Sequence, residues 1–325
     1  MLFLSICVFG QSKKAENFGF KHLNISFNKD SVDILIKSKS GDEMKSKPLF
    51  FFCQGSLPIP LIITEGKDVY PSFPFDTKTI IEKFHLVIVG KPGIPLIMDS
   101  KELEPDFSYV ERNSHQPPIK YSKNNYLEYF VNRNLHIIDY LTQQKFINSS
   151  ILVVAGHSQG ARVAFEMALE SKKITHLIYA NGNPSGQIMS IVTKSRQREI
   201  SGDTISIADN DFKHYESLVA DSSNVDLTYG DSNKSIYSFS KSSINTFPKL
   251  KIPVLICYGT NDPSTPFNDY LHAEIIRQRK KNFTFQTYIG LEHNFFGLKH
   301  SGEIDYDNFN WDKVVNDWLK WLKFR

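Results

Sequence analysis

The sequence predicts an α/β protein: a mostly parallel central sheet with helices on both faces and a small cap insertion. Three observations carry that prediction. Ile151-Leu152-Val153-Val154-Ala155 is a continuous apolar run, the pattern of a strand buried on both faces of a parallel sheet. Similar runs at 48–53, 84–89, 174–180 and 252–258 are separated by helix-length segments, the alternation expected of strand–helix units. The run at 151–155 ends in Gly156-His157-Ser158-Gln159-Gly160, and a helix-forming stretch, 161–169, follows at once.

The chain has 325 residues, 41% of them apolar and 13% aromatic, enough for one large core. Its 38 basic and 35 acidic residues leave a net charge of +3 and are mixed along the chain, so no basic stripe points to nucleic acid. Cys53 and Cys257 fall in apolar runs and read as buried thiols, and no Cys/His spacing looks like a zinc site. Residues 1–10 look like the later part of a secretory signal, with the mature chain from 11 onward; export to a periplasm or the medium is expected, a cytoplasmic location being the alternative. Cys7 would leave with that leader. No later stretch is long and apolar enough to span a bilayer as a helix.

Taken in order, 20–27 and 32–37 alternate polar and apolar residues around the turn Asn28-Lys29-Asp30-Ser31, an antiparallel edge hairpin. Strands follow at 48–53 and 84–89. The Pro-, Gly- and aromatic-rich segment 57–79 reads as an irregular loop over one end of the sheet, and 91–122, with five prolines, as a second loop. Residues 123–146 predict one long helix whose apolar face is Leu127, Phe130, Val131, Leu135, Ile138 and Leu141. After the strand at 174–180 the texture changes: 185–248 is crowded with Ser, Asp and Lys, and reads as a cap insertion with a helix at 211–220. Strand, helix and strand then return at 252–258, 268–280 and 283–289. A last helix, 310–324, carries the stripe Trp311, Val314, Val315, Trp318, Leu319 and Leu322.

The turn at Ser158 has a physical logic. To present its oxygen away from the sheet, the serine must sit at the apex of a very tight, strained turn, where side chains two residues either side would collide. Both positions are glycine, Gly156 and Gly160. Strand, turn and helix together form the nucleophile-elbow pattern.

On these residues the chain resembles the α/β-hydrolase-fold serine hydrolases, of the esterase or prolyl-oligopeptidase-like branch, from about residue 20 to its C-terminus. The resemblance implies a nucleophile, an acid and a base in the order Ser, acid, His. Ser158 is then the nucleophile. His293, in Gly290-Leu291-Glu292-His293-Asn294, follows the final strand and is the base; His300 is its rival, while His157 in the elbow points elsewhere and His85 begins a strand on the sheet's opposite edge. Asp262, in Tyr258-Gly259-Thr260-Asn261-Asp262-Pro263, matches the family's G-x-x-D spacing, with Gly259 permitting a sharp turn and Pro266 opening the next helix; Asp269 is the fallback acid. An oxyanion hole requires two backbone N–H groups. Gln159 supplies one, and Cys53-Gln54-Gly55-Ser56 supplies the other from Ser56 or Gly55, with Gln54 where the family shows His and orienting the loop by hydrogen bonding. Lys91 reads as a solvated loop lysine or a contact for an acidic substrate group.

The implied reaction is cleavage of a carboxylic ester of a small-molecule acyl substrate through an acyl-enzyme on Ser158. A serine peptidase, a thioesterase and a non-catalytic binding protein of the same fold are the alternatives, and nothing in the sequence calls for a metal or organic cofactor. The aromatics Phe212, Tyr215, Tyr229, Tyr237 and Phe239 either line an acyl pocket or pack the insertion onto the body.

Overall fold

A computed structural model describes residues 13–202, 206–229 and 231–323. The expected leader with Cys7 lies outside the described residues, as does Phe324, the expected end of the last helix.

Eight strands form the central sheet: β1 (Lys21–Phe27), β2 (Asp30–Lys37), β3 (Lys47–Cys53), β4 (His85–Val89), β5 (Ile147–His157), β6 (His176–Ala180), β7 (Val254–Gly259) and β8 (Phe283–Tyr288). Their order is β1-β2-β4-β3-β5-β6-β7-β8. From β4 onward every pairing is parallel, while β1–β2 and β2–β4 are antiparallel. The predicted hairpin therefore forms the sheet edge, closed by Asn28 and Lys29, both at positive φ, between the paired Phe27 and Asp30.

The principal helices are α1 (Leu127–Leu141), α2 (Gln159–Glu170), α3 (Gln187–Ile200), α4 (Ile207–Ala220), α5 (Asn233–Phe239), α6 (Thr265–Arg277) and α7 (Trp311–Trp321). Along β3, Leu49, Phe51 and Cys53 belong to the core shared with α1 and α2 on one face, whereas Phe50 and Phe52 meet α7 and the aromatic loop Phe73–Phe75 on the other. Both faces are covered, which is why the strand sequence does not alternate. Trp318 of α7 is fully buried, stacked on Phe50 and donating its indole N–H to Cys257 Sγ at 3.2 Å. Cys53 and Cys257 are both buried, and burial pushes each thiol up to about 12.

Three expectations are corrected. The segment 57–79 is not irregular: Ile62–Glu65 pairs with Asp68–Pro71 around Gly66 at positive φ and with Ile97–Asp99 from the second loop, making a small three-stranded sheet. The long helix is broken. Ile119–Asn124 ends at Asn125, and α1 starts at Leu127, whose N–H is taken by Ser238 Oγ at 3.0 Å, so a contact from far along the chain sets the boundary. Residues 185–248 hold three helices where one was expected. Ile188, Val192 and Ala208 pack α3 on α4, while Lys194, Arg196, Gln197, Arg198 and Ile200 of α3 are exposed.

Among the described residues no helix is long and apolar enough to cross a membrane, and no group of three or more His, Cys, Asp or Glu side chains is placed to hold a metal.

Candidate active site

Ser158 stands between β5 and α2 with φ 58° and ψ −124°, a strained conformation for any residue with a side chain. Two backbone hydrogen bonds fix it: its N–H donates to Ala180 O of β6 at 3.0 Å, and its carbonyl accepts from Ala161 N at 3.1 Å. A Cβ on Gly156 would overlap the Gly160 carbonyl, and one on Gly160 would overlap the Cys53 carbonyl. The two glycines let the turn close and bring the helix against β3.

The structure brings Ser158, His293 and Asp262 together at the carboxyl ends of β5, β7 and β8. His293 Nδ1 lies 2.7 Å from Asp262 Oδ2, and His293 Nε2 lies 2.8 Å from Ser158 Oγ. A carboxylate only accepts, so the imidazole proton sits on Nδ1 and Nε2 is left to accept from the serine hydroxyl. Burial pushes the Asp262 carboxyl up. The hydrogen bond and charge of His293, with two donors from Ser264 (N and Oγ, each 2.7 Å from Oδ1), outweigh it and hold the group below the ordinary carboxylate range. Pro266 lies in the first turn of α6, as expected. Gly259 has a different duty from the one expected. Its φ is not positive; instead a Cβ there would overlap the Leu291 carbonyl, so the glycine lets the histidine loop pass close over β7.

The rivals fall away on position. His300 is exposed, and Asp269 accepts from Tyr258 OH at 2.6 Å. His85 is buried, bonded to Ser38 Oγ and to the Lys45 carbonyl, and its strand, β4, lies inside the sheet between β2 and β3 and not at the edge expected, because the hairpin β1–β2 covers that side.

Two residues escaped the sequence reading as supports. His157 is buried and donates from Nε2 to the His293 carbonyl at 2.8 Å, its ring packed edge-on against Trp311. Burial, with the neighbouring His293 charge, draws its pKa down to about 3, so it is a neutral donor. Asn181, at the end of β6, donates to the same carbonyl at 2.6 Å and accepts from Gly259 N–H at 2.9 Å. The signal was available: both lie directly at the carboxyl ends of strands, where such a fold places its functional groups.

On the other side of Ser158, Gly55 approaches so closely that a Cβ there would lie 3.8 Å from Ser158 Cβ, and Ser56 lines the cleft with Ser158 and Gln159. Gln54 donates to Val89 O at 2.7 Å, tying this loop to the end of β4 in the orienting role expected of it. Lys91 is neither solvated nor turned toward a substrate. It is 6% exposed, and its ammonium donates to the carbonyls of Gly55 and Ser56, each at 2.6 Å. The cause is non-local: two carbonyls from the β3 loop converge on the end of β4.

A cleft of about 200 Å³ opens over Ser158. Its outer wall is α3, through Gln187, Ser190, Ile191 and Lys194, with Phe239 of α5. Of the five aromatics, Phe239 alone lines it among the described side chains; Phe212 and Tyr237 are half exposed, Tyr215 packs inside the insertion, and the Tyr229 side chain is outside the described residues. The segment 57–79 contributes none of the cleft-lining residues.

With this geometry, the chain has the α/β-hydrolase fold. Residues 219–324, which include Asp262 and His293, match the family model described as the dienelactone hydrolase family. No curated protein matches the chain in sequence. Among solved structures it is similar to the alpha/beta hydrolase GrgF from Penicillium sp. sh18, with a TM-score of 0.55 at 14% identity, covering 94% of this chain and 98% of that one. It is also similar to 2,6-dihydroxy-pseudo-oxynicotine hydrolase (TM-score 0.54, 12% identity, 92% of this chain and 67% of that one). Est1E from Butyrivibrio proteoclasticus gives a TM-score of 0.51 at 16% identity, covering 93% and 96%. At such identities the likeness is one of fold. The fold and the family match support a hydrolase.

Proposed function

We propose that the chain is a serine hydrolase that cleaves carboxylic esters through an acyl-enzyme on Ser158. The observation that carries this reading is the unbroken hydrogen-bond chain Ser158–His293–Asp262, with the acceptor nitrogen of the imidazole turned to the hydroxyl. Serine is a poor nucleophile unless a base takes its proton during attack. His293 Nε2 is placed to do so, and Asp262 stabilises the imidazolium that forms. The oxyanion of the tetrahedral intermediate is held by the N–H groups of Gln159, at the positive end of α2, and of Ser56. His293 then protonates the leaving alcohol, and a water activated by the same imidazole resolves the acyl-enzyme.

The small volume of the cleft, about 200 Å³ between Ser158 and the wall formed by Gln187, Ile191, Lys194 and Phe239, supports a short acyl group. Residues 185–248 act in this reading as the cap that sets acyl size. The test is a chain-length series of p-nitrophenyl esters beside aminoacyl-naphthylamides. Acetate and propionate esters are expected to turn over faster than octanoate, and a Ser158→Ala protein to lose this activity. Turnover of amides and not esters makes the chain a peptidase; an active Ser158→Ala protein overturns the assignment.

A further inference from the structure

The buried ammonium of Lys91 has no part in the mechanism so far, although it lies directly behind the oxyanion loop. Its acceptors are specific. The Gly55 carbonyl belongs to the peptide unit whose other end is the Ser56 N–H, and the Ser56 carbonyl is also held by Tyr121 OH at 2.6 Å. A donor on an amide oxygen polarises that amide and strengthens its N–H as a donor in turn. A hydrogen bond from a charged donor is roughly twice as strong as one from a neutral donor. We propose that Lys91 is a positioning residue for the reaction above: its ammonium orients and polarises the Gly55–Ser56 peptide, so that the Ser56 N–H meets the oxyanion already aligned.

The surroundings make the charge costly. Burial draws the Lys91 pKa down to about 7; the Asp231 charge favours the ammonium, and the Arg133 guanidinium, held by Gly90 O at 2.9 Å, opposes it. The Tyr121 ring lies 5.6 Å from the ammonium, and Asp33, Lys120 and Tyr129 border the cleft on the outer side of the Lys91 loop. A lysine with a lowered pKa carries its charge below that value and loses it as the pH rises through it. Polarisation of the oxyanion peptide should therefore fade on the alkaline side of about 7.

The inference rests on Ser158 being the nucleophile, and the experiment separates the two claims. The second-order rate of fluorophosphonate labelling, and kcat and KM on an acetate ester, are measured between pH 6 and 9 for the parent, Lys91→Met and Lys91→Gln. Folding of each is checked by circular dichroism. The expected result is a kcat and labelling rate ~10- to 100-fold lower in Lys91→Met, a fraction of the loss from deleting an oxyanion donor outright. KM should hold, Lys91→Gln should fall between, and the parent's alkaline decline should be absent from both variants. Labelling and kcat within twofold of the parent, with the same pH profile, overturn the role of Lys91 and leave Ser158 standing. If neither variant folds, a parent profile flat from pH 6 to 9 overturns it. A parent that is not labelled at all refutes the hydrolase reading instead.

Discussion

On the His293 side of Ser158, a buried carboxylate, Asp262, is paired with His293 and Ser264, and two neutral side chains, Asn181 and His157, hold the His293 carbonyl. On the Ser56 side, proposed to hold the oxyanion, two buried cations, Lys91 and Arg133, have hydrogen bonds to the carbonyls of Gly55, Ser56 and Gly90 and to the Asn134 amide. The first arrangement suits a group that must gain and lose a proton, because a carboxylate stands ready to stabilise the charged imidazole. The second suits groups that must not move, since a cation on a carbonyl stiffens and polarises the peptide without presenting a titrating side chain to the substrate. In the proposed reaction, one half of the site serves proton transfer and the other supplies fixed backbone dipoles.

The sharpest way to break this comparison is Ser158→Ala, which leaves only the residual effect of the oxyanion site and binding; kcat on the best p-nitrophenyl ester should fall on the order of 10⁴-fold or more. Asp262→Asn keeps the shape but offers Nδ1 an ambiguous partner, so a drop of roughly 10³- to 10⁴-fold is expected in steady-state kinetics. Asn181→Ala acts one step further away, freeing the His293 carbonyl and the Gly259 N–H; about a tenfold loss in kcat is expected, the cost of a misplaced base, along with a Tm reduction of several degrees in a thermal scan. An unchanged kcat there would mean that His157 alone holds the loop.

The smallest effect is on stability against pH. His157 titrates near 6.5 when unfolded but at about 3 in the native chain. The unfolded state thus binds more protons between those values, and stability is intact above pH 6.5 and lost as pH falls toward 3. Asp262, whose native value is lowered, loses its contribution in the acid range as well. Tm measured from pH 7 to 4 should fall less steeply for His157→Gln than for the parent, though its starting value should be lower. Parallel slopes would show that His157 is not held neutral.

Much of the site was legible because its signals are local or ordered. The elbow needs only five residues, Gly156 to Gly160, between a buried strand and a helix. Asp262 and His293 lie just past strands that periodicity already marks. Lys91 was not legible, because its environment consists of carbonyls contributed by residues 35 and more positions away in sequence. Helix α3 was missed because its inward stripe, Ile188, Val192 and Ser195, is narrow and ends in a serine, and its second half, from Thr193 to Glu199, is wholly polar. The break at Asn125 depends on Ser238, 111 residues beyond Leu127, and no window of sequence contains both.

The account stands most directly on intact-mass and peptide-level analysis of the native chain after fluorophosphonate treatment. It predicts a single adduct on the peptide containing Ser158, absent from Ser158→Ala and formed very slowly in His293→Ala. Stoichiometric labelling of a different serine, or an unlabelled native chain with Ser158 and His293 in hydrogen-bond contact, would contradict it.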